Sequence, residues 1–297
     1  MNIMKIIEFN HPNDVLNKEE VAICIGAFDG IHLGHQQLIN KLQETKLKRA
    51  LLTFNPTPKA YFSDDYSYLT PIDKKISLLE NLVDYVFIIN FNDDFKNMSK
   101  QDFITFLKNN ATLEVICGHD FTFAKNKEGK AEDLRCFNLT VMNPYLIDGK
   151  RVATTAIKDF LTNGNILEAN KFLGRNYSIK SEVIHGSNLG HTIGFPTANM
   201  TSNSYFIPLS GVYVTKTLYK GHLYMSMTNI GKNPTMNAQD EIRIETYLLN
   251  FEGNLYDEEI EVFFVDRIRD EKKFSSVSIL VEELTANANY VRVYDET

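Results

Sequence analysis

Four short apolar segments, at residues 21–26, 50–54, 85–90 and 113–117, alternate with stretches of helical spacing, and this alternation ends near residue 175. Runs of this length bounded by Gly, Pro or polar residues read as buried strands. His35, Leu38, Ile39 and Leu42 recur at i, i+3, i+4 and i+7, one face of a helix. Ser99, with Asp102 three residues on, reads as a helix start before Phe103, Phe106 and Leu107. Strands separated by helices require crossover connections, which predicts an α/β domain with a parallel sheet and helices on both sides. The remainder changes character: β-rich segments at 179–185, 211–219, 223–230, 242–249 and 259–265 follow one another without helices. That pattern predicts a small antiparallel β-barrel. A terminal helix is expected over 275–293, with Val277, Leu280, Leu284, Ala288 and Val291 on one stripe. The expected domains are therefore 1–172 and 173–297.

The 297 residues carry a formal charge of -7, which argues against a protein that holds nucleic acid on a basic face. A small phosphorylated substrate is compatible with that charge, because local amides and metal bind it. The first ten residues show no basic start followed by an apolar run, so no signal peptide is expected, and 21–28 is too short to span a bilayer. A cytoplasmic enzyme without membrane or nucleic-acid partners, monomeric or weakly homo-oligomeric, is the expectation. Cys24, Cys117 and Cys136 are widely spaced and form no CxxC pair, so they suggest neither a disulfide framework nor a zinc knuckle.

Between the first strand and first helix stands Gly26-Ala27-Phe28-Asp29-Gly30-Ile31-His32-Leu33-Gly34-His35. Glycines let the backbone turn tightly and approach a ligand, and free amides at a helix start attract anions. Histidines three apart face one place, where they can donate hydrogen bonds to phosphate oxygens. The Gly26–Gly30–Gly34 spacing also occurs in helix packing, and two such histidines can be zinc ligands, although no third ligand is obvious nearby. Neither GxxxxGK[ST] nor GxGxxG is present.

The segment resembles the HxGH signature of nucleotidylyltransferases in the form found in bacterial FAD synthetases. Further pieces are similar to that family in order: Thr53-Phe54-Asn55-Pro56-Thr57-Pro58, Cys117-Gly118-His119-Asp120-Phe121-Thr122-Phe123, and Val152-Ala153-Thr154-Thr155-Ala156-Ile157-Lys158. The resemblance implies a Rossmann-like domain that adenylylates FMN with ATP and releases pyrophosphate. His32 and His35 would stabilise the transferring phosphate. Gly26, Phe28, Asp29, Gly30, Asn55, Asp120, Thr155 and Lys158 would line the nucleotide and FMN sites. Thr57, Ala153 and Lys158 depart from the family's His, Ser and Arg, and lysine lacks the two-pronged grip of arginine on phosphate.

The second half carries Gly190-His191-Thr192-Ile193-Gly194-Phe195-Pro196-Thr197-Ala198-Asn199. In an extended chain Thr197 and Asn199 point the same way, and hard oxygens suit Mg²⁺, which takes few protein ligands. Taken by itself this segment also reads as an ordinary turn. With Gly211-Val212-Tyr213, Asn229-Ile230-Gly231-Lys232-Asn233-Pro234-Thr235, Glu245-Thr246-Tyr247-Leu248-Leu249-Asn250-Phe251 and Arg269-Asp270-Glu271-Lys272-Lys273-Phe274, it resembles the riboflavin kinases. Tyr247, Asn250 and Asn254 depart from that family's pattern. The resemblance implies Thr197 and Asn199 as Mg²⁺ ligands beside ATP, and Glu245 as the base for the riboflavin 5′-hydroxyl. Gly190, Gly194, Pro196, Asn229, Arg269 and Phe274 would line the nucleotide and flavin sites. The expected function is thus flavin cofactor synthesis, riboflavin to FMN to FAD, each step with MgATP. The competing readings are retention of one activity, with adenylyl transfer the weakened one, or a flavin-binding sensor without turnover. A sensor needs neither a base nor paired phosphate-binding imidazoles.

Overall fold

A computed structural model describes residues 3–185, 193–201, 204–232 and 242–294. The chain forms two compact units, Met1–Thr154 and Thr155–Thr297.

The first unit is built on β1 (Lys5–Phe9), β2 (Val21–Ile25), β3 (Lys48–Asn55), β4 (Tyr85–Asn90), β5 (Thr112–Gly118) and β6 (Asn138–Met142). All pairings are parallel, and the spatial order is β1-β4-β3-β2-β5-β6. Crossovers run through α1 (Leu33–Leu42), α2 (Pro58–Tyr61), α3 (Ile72–Leu79), α4 (Asp93–Asn97) and α5 (Lys100–Asn109). Strand alternation sorts the core into two layers. Val21, Ile23 and Ile25 of β2 join Phe95 of α4 and Phe103, Phe106 and Leu107 of α5 on one face. Ala22 and Cys24 join Leu38, Ile39 and Leu42 of α1 and Leu79 of α3 on the other. The chain reverses direction across the sheet between β2 and β5, so the β2–α1 turn opens at the switch point where doubly wound sheets bind ligands. Ser99 caps α5 as expected, its hydroxyl accepting from the Asp102 amide at 3.2 Å. Strands β1 and β6 were not among the sequence expectations; Ile6 and Val141 in them are exposed, so edge position blurs their pattern.

The second unit takes up α6 (Thr154–Thr162) from Thr155 and continues with α7 (Ile166–Leu173). Among the described residues six strands follow: β7 (Tyr177–Ile184), β8 (Ala198–Met200), β9 (Gly211–Tyr219), β10 (His222–Lys232), β11 (Ile242–Leu248) and β12 (Glu259–Arg269). They close into an antiparallel barrel in the order β7-β8-β11-β10-β9-β12. Strand β8 is too short to register as a periodic segment and was missed by the sequence reading. Inside the barrel, the fully buried Thr215, Thr217, Ser226, Thr228 and Thr246 bond hydroxyl to hydroxyl at 2.7 to 2.9 Å. α8 (Val277–Tyr294) covers part of the outer face, where Val291 and Leu284 pack on Val212, Val214 and Met227. Val277, at the start of the expected stripe, is exposed, and burial builds up toward Ala288 and Val291.

Candidate active sites

In the first unit, the expected residues of 1–154 collect at the C-terminal ends of three adjacent central strands. Gly26 follows β2, Asn55 ends β3, and Asp120 lies two residues beyond β5. His32 is the N-cap of α1, and its Nδ1 accepts from the His35 amide at 3.2 Å. That bond commits the lone pair of Nδ1, so the neutral ring carries its proton on Nε2 and is a donor there. The His32 and His35 rings stack with centroids 3.6 Å apart. Gly34 permits this arrangement, since a Cβ there would stand 3.2 Å from both the His32 ring and the Val152 carbonyl.

The turn itself is strained. Phe28 and Ile31 hold φ of 49° and 37°, and Gly30 sits at 99°. It is held by a bed of polar contacts. Asp29, buried, accepts from the Thr70 amide at 3.0 Å and the Tyr66 hydroxyl at 2.9 Å. The Gly30 amide donates to Thr70 Oγ1 at 2.8 Å, and Thr154 donates its hydroxyl to the Asp29 carbonyl at 2.7 Å. Asp120 accepts from Arg151 at 2.6 Å; burial pushes its carboxyl up, yet the guanidinium holds it below the usual range. Thr57 has a local role that explains a hydroxyl at this position. It is the N-cap of α2, with Oγ1 accepting from the Ala60 amide at 3.3 Å. Thr155 and Lys158 lie in the early turns of α6, and the Lys158 ammonium stands 5.2 Å from the Phe206 ring centre. Sequence reasoning missed Thr70, Lys75, Arg151 and Thr154. Only Lys75 left a signal, a cation on the apolar stripe with Ile72, Ile76 and Leu79.

In the second unit, strand register draws the expected residues into one transverse row. Asn199 of β8 pairs with Glu245 of β11, Glu245 with Asn229 of β10, Asn229 with Val212 of β9, and Val212 with Arg269 of β12. Directly paired residues share a face. Thr246 and Ile244 are buried toward the interior, which turns Glu245 to the outer face. Ala198 and Met200 are likewise buried, while Thr197 and Asn199 are half-buried. Thr197 and Asn199 therefore offer two neutral hard oxygens beside one carboxylate, a donor set that fits a Mg²⁺ ion keeping phosphate and water in its shell. Among the described residues no three His, Cys, Asp or Glu side chains gather as a metal cage. The Glu245 carboxyl is pushed up, mainly by burial and further by Glu271, with Arg243 opposing. A raised carboxyl in a half-buried position suits a general base.

Gly194 and Pro196 are exposed in the segment leading to β8; Gly190 lies outside the described residues, as do 233–235. Phe195 packs edge-on to Tyr247 at 5.2 Å, which gives the aromatic at 247 a packing role. Arg269 is ion-paired to Glu283 of α8 at 2.8 Å and stands 5.9 Å from the Phe274 ring centre. Cys24 and Cys117 are buried and their thiols are pushed up, Cys117 to about 11.

The FAD synthetase family model matches residues 14–156, and the riboflavin kinase model matches 173–294. Three relatives described as bifunctional riboflavin kinase/FMN adenylyltransferase span nearly the whole chain. That of Listeria monocytogenes is 34% identical, covering 98% of each chain. That of Bacillus subtilis is 32% identical over 95% of each, and that of Escherichia coli K12 is 34% identical over 95% of this chain and 97% of its own. A solved structure from Streptococcus pneumoniae, described as a macrolide-efflux protein, superposes with a TM-score of 0.90 at 29% identity, covering 97% of this chain and 99% of that one. Among the described residues no helix is long and apolar enough to cross a membrane. With both domain models matched in succession and relatives alike over the full length, this chain belongs to the bifunctional riboflavin kinase/FMN adenylyltransferase family.

Proposed function

We propose that the chain converts riboflavin to FMN in its second unit and FMN to FAD in its first, using ATP in both steps. The observation that carries this reading is the succession of the two family matches, each over a unit that holds its own cluster of candidate residues. In the kinase step, Glu245 accepts the proton of the riboflavin 5′-hydroxyl as its oxygen bonds to the γ-phosphorus. The bond from that phosphorus to the bridging oxygen breaks, and ADP leaves. Thr197 and Asn199 hold the Mg²⁺, which when bound neutralises charge on the phosphates. Gly194, Pro196, Asn229, Arg269 and Phe274 shape the nucleotide and flavin sites around the row, and Gly190 belongs to the same motif.

In the adenylyl step, an FMN phosphate oxygen bonds to the α-phosphorus of ATP while the bond to the β-phosphate oxygen breaks and pyrophosphate leaves. His32, through Nε2–H, and His35 donate to the oxygens on which charge accumulates. Gly26, Phe28, Asp29 and Gly30 form the turn under the phosphates, with Asn55, Asp120, Thr155 and Lys158 contributing to the nucleotide and FMN sites. Both steps need ATP, which supports a cytoplasmic setting. The domains are 1–172 and 173–297 in this reading, matching small molecules only, with a monomer or weak homo-oligomer as the working unit.

A chromatographic product assay tests it, with MgATP and either riboflavin or FMN in separate tubes. FAD in both tubes is the expected result. FMN from riboflavin without FAD in either would leave a kinase alone, and bound flavin without product would leave a sensor.

A further inference from the structure

Lys75 is buried to 1% exposure on α3, and its ammonium lies beneath the Gly26–His35 turn. Nζ donates to the Ala27 carbonyl at 2.8 Å and to Thr53 Oγ1 at 3.0 Å. Thr53 in turn donates to the same Ala27 carbonyl at 3.0 Å. The nearby Asp29 carboxylate attracts the ammonium and is itself engaged by Thr70 and Tyr66. Burying a lysine is unfavourable, and a methionine of similar length would fill this space without that cost. A cation kept here sits directly under a turn with two non-glycine residues at positive φ. Backbone in such conformations persists only where its surroundings over-determine it.

We propose that Lys75 is a positioning residue for adenylyl transfer, fixing the Ala27 carbonyl so that the strained turn keeps its amides aimed at the ATP phosphates, and adding a buried positive charge behind them. This rests on the reading of the Gly26–His35 turn as the ATP site. Removing the charge leaves Ala27 bonded to Thr53, so Lys75→Met keeps the fold while loosening the turn and weakening its hold on a polyanion.

The test uses the full chain with MgATP. FAD formation from FMN is measured across ATP concentrations, alongside FMN formation from riboflavin and the unfolding midpoint, for Lys75→Met, Lys75→Arg and His32→Ala. For Lys75→Met we expect an unchanged or higher midpoint and FMN formation near the unaltered rate. Its kcat/KM for ATP in FAD formation should fall about tenfold or more, chiefly through KM, as expected for a lost charged hydrogen-bond donor. Lys75→Arg should recover part of the loss. Unimpaired FAD formation by Lys75→Met, with His32→Ala impaired, overturns the role of Lys75 alone. Undiminished FAD formation by His32→Ala overturns the underlying site reading and the proposal with it. A loss confined to kcat that tracks a lowered midpoint, without rescue by arginine, also overturns it. Should Lys75→Met fail to fold, Thr53→Val removes the second partner; a KM for ATP raised about threefold supports the proposal, and an unchanged KM overturns it.

Discussion

At the residue scale, an ammonium held away from water is disfavoured, and burial lowers the Lys75 pKa from 10.5 to about 8 despite the attraction of Asp29. The folded value lies below the unfolded one, so between pH 8 and 10.5 the unfolded chain binds more protons and stability rises with pH. The full span is worth about 3 kcal/mol at ~1.4 kcal/mol per unit. The unfolding midpoint of the natural chain is therefore expected to gain on that of Lys75→Met as pH rises from 7 to 10. Calorimetry on the two proteins at matched ionic strength measures this, and a constant gap across the range would contradict it. In the sequence, Lys75 was legible only as an oddity on an apolar stripe, because burial of a charge depends on neighbours contributed by β3 and the β2–α1 turn. His32 and Glu245 were legible because each stands in a contiguous motif that resembles a known family.

At the element scale, the barrel strands carry their row of candidate residues on the outer face and a hydroxyl ladder on the inner one. Thr228 Oγ1 lies 2.8 Å from Thr215 Oγ1 and 2.9 Å from that of Thr246, linking β9, β10 and β11. Thr228→Val keeps the shape and leaves two buried hydroxyls short of a partner, at a cost of about 2 kcal/mol. Because Thr228 and Asn229 are adjacent on β10, the second expectation is a rise in the KM for riboflavin when the strand relaxes. Urea unfolding and steady-state kinetics measure these effects, and an unchanged midpoint would refute the ladder's contribution. The ladder was not legible in sequence: Thr and Ser alternate in β9 and β10 as they would on a solvated face, and closure of the sheet turns that face inward. Strand β8 escaped detection for a related reason. Three residues show no periodicity, and its identity as a strand rests on pairing with β7 and β11.

At the scale of the whole molecule, the chain couples a doubly wound parallel sheet to an antiparallel barrel, each with its own candidate residues. Glu245→Gln is expected to abolish FMN formation while leaving FAD formation from added FMN intact. His32→Ala is expected to do the reverse, with FAD formation reduced about 10²-fold, the usual effect of losing one transition-state donor. Product chromatography on both variants decides this, and loss of both activities from either one would show that the sites are not independent. The sequence by itself determined the two architectures, the barrel, the terminal helix and the motif-borne residues. Hydrophobic periodicity and contiguous motifs are local properties, written within a single element or turn. Only the tertiary structure decided that Asn199, Glu245, Asn229 and Arg269 share one row, and that Lys75 underlies the strained turn. Strand register and the burial of a charge arise from contacts between segments far apart in the chain, which no local pattern encodes.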